Sequence, residues 1–155
     1  MASNSEYYTF GPHRIHKKMI FYTTDLSYAM VNLRPVRPVI PKREVKRFVD
    51  LKPEEICDLW LTAQLIGAKL ELFHRASSLT LNIQDGPEAG QTVPHVHIHV
   101  IPRKANDFER NDDIYDAMNE NDRALKQHID LDEKRKDRGF EVMAQEAEEY
   151  TKLFF

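Results

Sequence analysis

Pro94-His95-Val96-His97-Ile98-His99-Val100-Ile101-Pro102 is the stretch that decides both the fold and the chemistry of this chain. Its alternation predicts a β-strand from Val96 to Ile101, because successive strand side chains point to opposite faces. His95, His97 and His99 then share one face at steps of roughly 6.5–7 Å, while Val96, Ile98 and Val100 turn toward a core. Just upstream, Ser78 to Gln84 alternates in the same way. Leu79, Leu81 and Ile83 form an apolar face, and Thr80, Asn82 and Gln84 a polar one. If the two strands pair, Asn82 and Gln84 join the histidines in one polar patch. The loop between them, Asp85 to Pro94, carries Gly86, Gly90, Gln91 and Thr92.

Further upstream the period is helical. Pro53 suits a first helical position, and Glu54 and Glu55 suit its first turn. Ile56, Leu59, Trp60, Ala63, Ile66, Leu70 and Phe73 recur at helical spacing and predict one buried stripe. The first 45 residues read as short β-segments: Tyr8 to Phe10, Ile20 to Thr23 and Ser27 to Asn32. Gly11-Pro12 breaks the first from the second, and a run containing Pro35, Pro38 and Pro41 closes the third. Toward the C-terminus, Asp112 or Asp113 is placed to cap a helix carrying Ile114, Tyr115 and Met118. Phe140, Met143, Ala144, Ala147 and Tyr150 predict a last amphipathic helix. The fold class expected is α+β: an antiparallel sheet with one long packed helix and C-terminal helices. The whole chain, 1–155, reads as a single domain, with a helical extension over 112–155.

The 155 residues are 41% hydrophobic and 30% charged, an ordinary globular composition of about one domain's length. No apolar run approaches a membrane span, and the N-terminus lacks a basic start and an apolar core. A single cysteine, Cys57, rules out an intramolecular disulfide and fits a reducing compartment. A net charge of −3 argues against a nucleic-acid partner. A cytoplasmic protein is expected, with a nuclear pool allowed and secretion excluded.

The histidine face admits three readings. The first is a plain surface strand, although exposed strand positions favour Thr, Lys or Glu. The second is a metal site. Ligand bonds of about 2.1 Å cannot gather His95 and His99 onto one ion across roughly 13 Å of strand, so a metal would use two histidines and a distant third ligand. The third is covalent catalysis. A neutral imidazole whose Nδ1–H is held by an acceptor presents its Nε2 lone pair as a nucleophile toward phosphorus. Flanking histidines and the glycine-containing loop then supply donors to phosphate oxygens.

The block from Gln84 to Arg103, QDGPEAGQTVPHVHIHVIPR, resembles the signature of the histidine-triad superfamily and, within it, the fragile-histidine-triad branch. The likeness extends through Lys104 to Tyr115, Phe10-Gly11, Ser27 to Asn32 and the helix Asp50 to Phe73. Trp60 to Gln64 and Tyr8 to Pro12 are similar to plant members. The resemblance implies a homodimeric hydrolase of dinucleoside polyphosphates that prefers diadenosine triphosphate and releases AMP and ADP. It also implies activity on adenosine 5′-phosphosulfate and phosphoramidates. His97 would be the nucleophile that becomes adenylylated, His99 would contact the phosphate under attack, and His95 would orient the strand. Gln84, Gly90, Gln91, Thr92 and Val93 would contact phosphates, Asn32 the ribose, and His13 would lie near the nucleotide. No tightly bound cofactor and no protein-held metal is implied; magnesium or manganese would arrive with the polyphosphate.

One departure stands out. Between Pro38 and Val39 about four residues of the family pattern are absent, most of a typical 5–6-residue strand. A splice-like variant, an error in the gene model and a rerouted chain in which Val36 to Ile40 replaces the strand all fit. If the strand is lost, the alternative function is a nucleotide-binding sensor with little turnover. Arg34, Arg37, Lys42, Arg43, Lys46 and Arg47 cluster locally and read as a solvated face more readily than as a polyphosphate trap. Cys57 and Trp60 are expected to be buried, His16 and His128 to be surface residues, and His74 to be a cation tolerated at a helix C-terminus. Tyr115 is expected to pack or to lie near the site.

Overall fold

The computed structural model describes residues 5–32, 36–119 and 139–155. Arg34 and His128 therefore lie outside the described residues. Two strands, β1 (Tyr7–Phe10) and β2 (His13–His16), form an antiparallel hairpin. Its two-residue turn, Gly11-Pro12, requires a positive φ at the first position, and Gly11 supplies +56°. Five more strands build the main sheet: β3 (Ile20–Thr23), β4 (Ser27–Met30), β5 (Arg37–Pro41), β6 (Ser78–Asn82) and β7 (Ile98–Arg103). All neighbours are antiparallel, in the order β3-β4-β5-β7-β6.

The long helix α1 (Pro53–Phe73) begins at the expected proline. Glu55 reaches back to the backbone N–H of Lys52 at 2.9 Å, satisfying one of the donors orphaned at a helix start. The same carboxylate takes a two-pronged ion pair from Arg43 at 2.6 and 3.0 Å, which holds its pKa below the usual range. The start of α1 is thereby tied to the segment that follows β5. Leu59, Ala63, Ile66 and Leu70 are fully buried. Gly67 is required where α1 crosses the sheet, since a Cβ there would stand 2.8 Å from Leu79 and 3.8 Å from Val100. Val100 and Ile98 thus face α1, and the alternate residues of β7 face away from it. On that other face, Ile101 packs with Val36, Ile114 and Met118, the last two from α2 (residues 113–119). The C-terminal helix α3 (Phe140–Thr151) packs over β3 and the short helical turn Lys17–Met19, burying Met143, Ala147 and Tyr150.

The central strand of the sheet is β5, Arg37–Pro41, which stands where the rerouted-chain reading put Val36 to Ile40. β5 pairs with β4 through Ala29↔Val39 and with β7 through Val39↔Ile98 and Pro38↔His99. Its composition is unusual for a central strand. Pro38 has no N–H to give the ladder. Arg37 is buried, with its guanidinium bonded to Glu146 and to the Tyr150 hydroxyl of α3. Tyr150 is also 2.6 Å from Nε2 of His74 at the end of α1. Burial and the charges of Arg37 and Lys104 push His74 down to about 4, so it is neutral and accepts from the tyrosine rather than acting as a helix-terminal cation.

Other expectations are corrected by the packing. β2 was not foreseen, β1 begins one residue earlier at Tyr7, and β4 and β6 end at Met30 and Asn82. β7 begins at Ile98, two residues after the alternation starts, and ends at Arg103. Cys57 is exposed and Trp60 is 37% exposed, because the buried stripe of α1 is narrower than its apolar spacing suggested. Phe73 and Tyr115 are likewise more than a third exposed. The basic cluster is dispersed: Arg37 turns into the core, Arg43 meets Glu55, and Arg47 meets Asp85. His16 is half-buried, accepting at Nδ1 from the backbone N–H of Lys18.

Candidate active site

The triad histidines are 0, 3 and 1% exposed in chain order, and each has a defined partner that fixes its tautomer. The Gly11 N–H donates to Nδ1 of His95 at 3.0 Å, so the proton sits on Nε2, which donates to the Pro41 carbonyl at 2.8 Å. Both ring nitrogens of His95 are therefore engaged by protein. Burial keeps its pKa below the ordinary histidine value, consistent with a neutral ring that must accept a hydrogen bond. His95 joins three separate pieces: the hairpin turn, the end of β5 and the segment entering β7.

His97 is held by the backbone of His95. Its Nδ1 lies 2.8 Å from that carbonyl, which can only accept, so Nδ1 carries the proton and Nε2 the lone pair. Nδ1 of His99 donates in the same sense to Oδ1 of Asn82 at 3.0 Å, across the β6–β7 register. The rings of His97 and His99 meet edge to face, with centroids 4.7 Å apart. Phe10 supports the group from the hairpin, with its centroid 5.0 Å from His97, 5.8 Å from His95 and 6.4 Å from His13. Tyr28 of β4 anchors that hairpin by donating its hydroxyl to the Thr9 carbonyl at 2.6 Å.

His13 and Asn32 are buried, and Phe10 brings His13 next to the triad. Asn32 follows β4, two strand positions away from β7 across the sheet. The loop after β6 is braced at its base, where the Asp85 carboxylate accepts from Arg47 at 3.0 Å and from the Phe48 N–H at 2.8 Å. Gln91 braces it again: its amide oxygen accepts from the Gly86 N–H and its amide nitrogen donates to the Lys46 carbonyl, both at 2.8 Å. The Gln91 side chain thus fastens the loop instead of pointing at the histidines. Val93 is buried under the hairpin turn, where a Cβ on Gly11 would come within 2.9 Å of it. Thr92 is exposed at the loop's end. Gly90 has a φ of +94°, and the Gln84 amide occupies the space that a Cβ would fill, at 2.7 Å.

Phe10, the Gly11 N–H and the Pro41 carbonyl are the supporting groups that residue-level reading passed over. Two of them are backbone groups, which carry no signal of residue type. The assembled arrangement presents one imidazole nitrogen with an oriented lone pair, a second imidazole beside it and a glycine-containing loop at one flank. Such a site can make and break a phosphorus–nitrogen bond.

A HIT domain model matches residues 14–106, and the chain belongs to that family of histidine-triad proteins. Among its relatives, the bifunctional bis(5′-adenosyl)-triphosphatase/adenylylsulfatase FHIT of Arabidopsis thaliana is 60% identical over 99% of this chain and 88% of its own length. The bis(5′-adenosyl)-triphosphatase of Dictyostelium discoideum is 46% identical over 94% of this chain and 91% of its own length. The crystal structure of the C. elegans NitFhit protein superposes with a TM-score of 0.77 at 36% identity, covering 99% of this chain and 31% of that one.

Proposed function

We propose that this protein hydrolyses dinucleoside polyphosphates, diadenosine triphosphate first among them, through an adenylyl-His97 intermediate. The observation that carries the reading is the hydrogen bond from Nδ1 of His97 to the His95 carbonyl, which leaves the lone pair on Nε2. That nitrogen attacks the α-phosphorus, the bond from phosphorus to the bridging oxygen breaks, and ADP leaves. Water then attacks the adenylyl phosphorus and gives up a proton to solvent, AMP departs, and the electrons of the P–N bond return to Nε2. As phosphorus is attacked, the His95 carbonyl stabilises the growing positive charge on the imidazole. His99 stands beside the phosphate under attack, and Asn32 and His13 take the nucleoside. Magnesium or manganese accompanies the polyphosphate and offsets its charge.

A sulfate leaving group fits the same first step, so adenosine 5′-phosphosulfate belongs among the substrates, as in the Arabidopsis relative's name. Phosphoramidates fit on the same ground. The sensor reading rested on a lost central strand; with β5 in that position, the hydrolase reading is the better supported. A homodimer is supported by the edge position of β6 and by the neighbouring exposed stripe Leu61, Leu65 and Leu72 of α1, with Leu81 of β6.

The test is chromatographic. Purified protein and its His97→Asn variant are incubated with diadenosine triphosphate and magnesium, and the nucleotides are separated. AMP and ADP from the parent alone support the reading. Equal turnover by His97→Asn, or none by a folded parent, sinks it.

A further inference from the structure

Two buried amide oxygens, Oε1 of Gln84 and Oδ1 of Asn119, have no hydrogen-bond partner among the described residues. They belong to the same corner of the fold. The position of a Cβ on Gly90 would be 2.7 Å from Nε2 of Gln84 and 3.7 Å from Oδ1 of Asn119. Asn119 is brought there by α2, which sits on the triad face because Ile114 and Met118 pack on Ile101 of β7 and on Val36. An orphaned buried acceptor is costly unless a donor meets it.

The sheet order says which part of a substrate lies there. Asn32 follows β4 and Gln84 follows β6, on opposite flanks of the histidines on β7. With the attacked nucleoside toward Asn32 and its phosphorus at His97, the departing group extends toward Gln84 and Asn119. We infer that Asn119, together with Gln84, recognises the leaving group by accepting hydrogen bonds from its donors. Those donors are the ribose hydroxyls of a departing nucleotide or the water molecules on its bound cation. Sulfate has neither, so Asn119 is a specificity residue that favours nucleotide over sulfate departure. This inference rests on the hydrolase reading.

The experiment compares kcat/KM for diadenosine triphosphate and for adenosine 5′-phosphosulfate in the parent and in Asn119→Ala. One lost neutral hydrogen bond predicts a roughly three- to tenfold drop on the triphosphate. The phosphosulfate value stays unchanged, so the ratio of the two shifts by the same factor. A folding defect would scale both substrates together and leave the ratio where it was. Repeating the triphosphate assay with a substrate whose departing ribose lacks its hydroxyls separates the two donors. If Asn119→Ala still costs the same factor there, the donor is cation-bound water; if the factor vanishes, it is the ribose. An unchanged ratio overturns the assignment while the hydrolase reading stands, and a parent inactive on both substrates overturns the two together.

Discussion

Replacing Glu146 by glutamine tests whether the central strand of this protein depends on α3. Arg37 stands in β5 with its side chain 5% exposed, and Glu146 is its half-buried counter-charge at 14%. Desolvation alone lowers the arginine's pKa, a sign that the guanidinium is held against a real penalty. Removing one partner of a buried ion pair costs about 3–5 kcal/mol. Because Arg37 keeps the Tyr150 hydroxyl, the lower end applies, so Glu146→Gln is expected to destabilise by about 3 kcal/mol. For a chain of 155 residues that corresponds to a Tm about 6–12 °C lower. Arg37→Met behaves differently. It removes the charge that needs compensation and fills the space with an unbranched apolar chain, so stability is expected within about 1 kcal/mol of the parent or above it. Urea titrations at one fixed protein concentration, followed by circular dichroism, measure both variants. If Arg37→Met loses as much as Glu146→Gln, the pair is a net source of stability and the reasoning fails.

Three further outcomes follow from other parts of the molecule. His74 is depressed in the folded protein to about 4, so the unfolded chain takes up a proton first as pH falls below about 6.5. Stability present at neutral pH is therefore lost between pH 6.5 and 4, by less than the unscreened limit of about 1.4 kcal/mol per unit because the ring is half-exposed; urea midpoints of His74→Gln should fall less steeply there than the parent's. Gly11→Ala forces a Cβ onto a φ of +56° and against Val93, displacing the N–H that orients His95. It should lower both Tm and kcat. Gly90→Ala drives a Cβ into the Gln84 amide, and its steady-state kinetics should show a raised KM for diadenosine triphosphate with a smaller effect on melting temperature.

The triad itself was legible in the chain. An alternation of period two puts three histidines on one face wherever the segment is extended, and the period of 3.6 marks α1 from Pro53 to Phe73 just as locally. The resemblance of the block from Gln84 to Arg103 supplied the chemistry. The limits of β7 were not legible, because a ladder ends where its neighbours end. The pairing stops at Asn82↔His99 on one side and Val39↔Ile98 on the other, leaving His95 to His97 outside the ladder. Arg37 and Pro38 argued locally against a central strand, and only the pairing with β4 and β7 makes them one.

Sequence by itself determined what depends on near neighbours: the periods, the turn at Gly11-Pro12, the triad and its family. Tertiary structure decided which nitrogen of His95 and of His99 carries its proton, whereas His97 takes its partner from the carbonyl two residues before it. The partners of His95 are 84 and 54 residues away in the chain, and that of His99 is 17 away. It also decided that Asn119 faces Gln84 and that Arg37 is buried. A strand's alternation says which way a side chain points, but a hydrogen bond needs both of its ends, and the second end is brought by the fold.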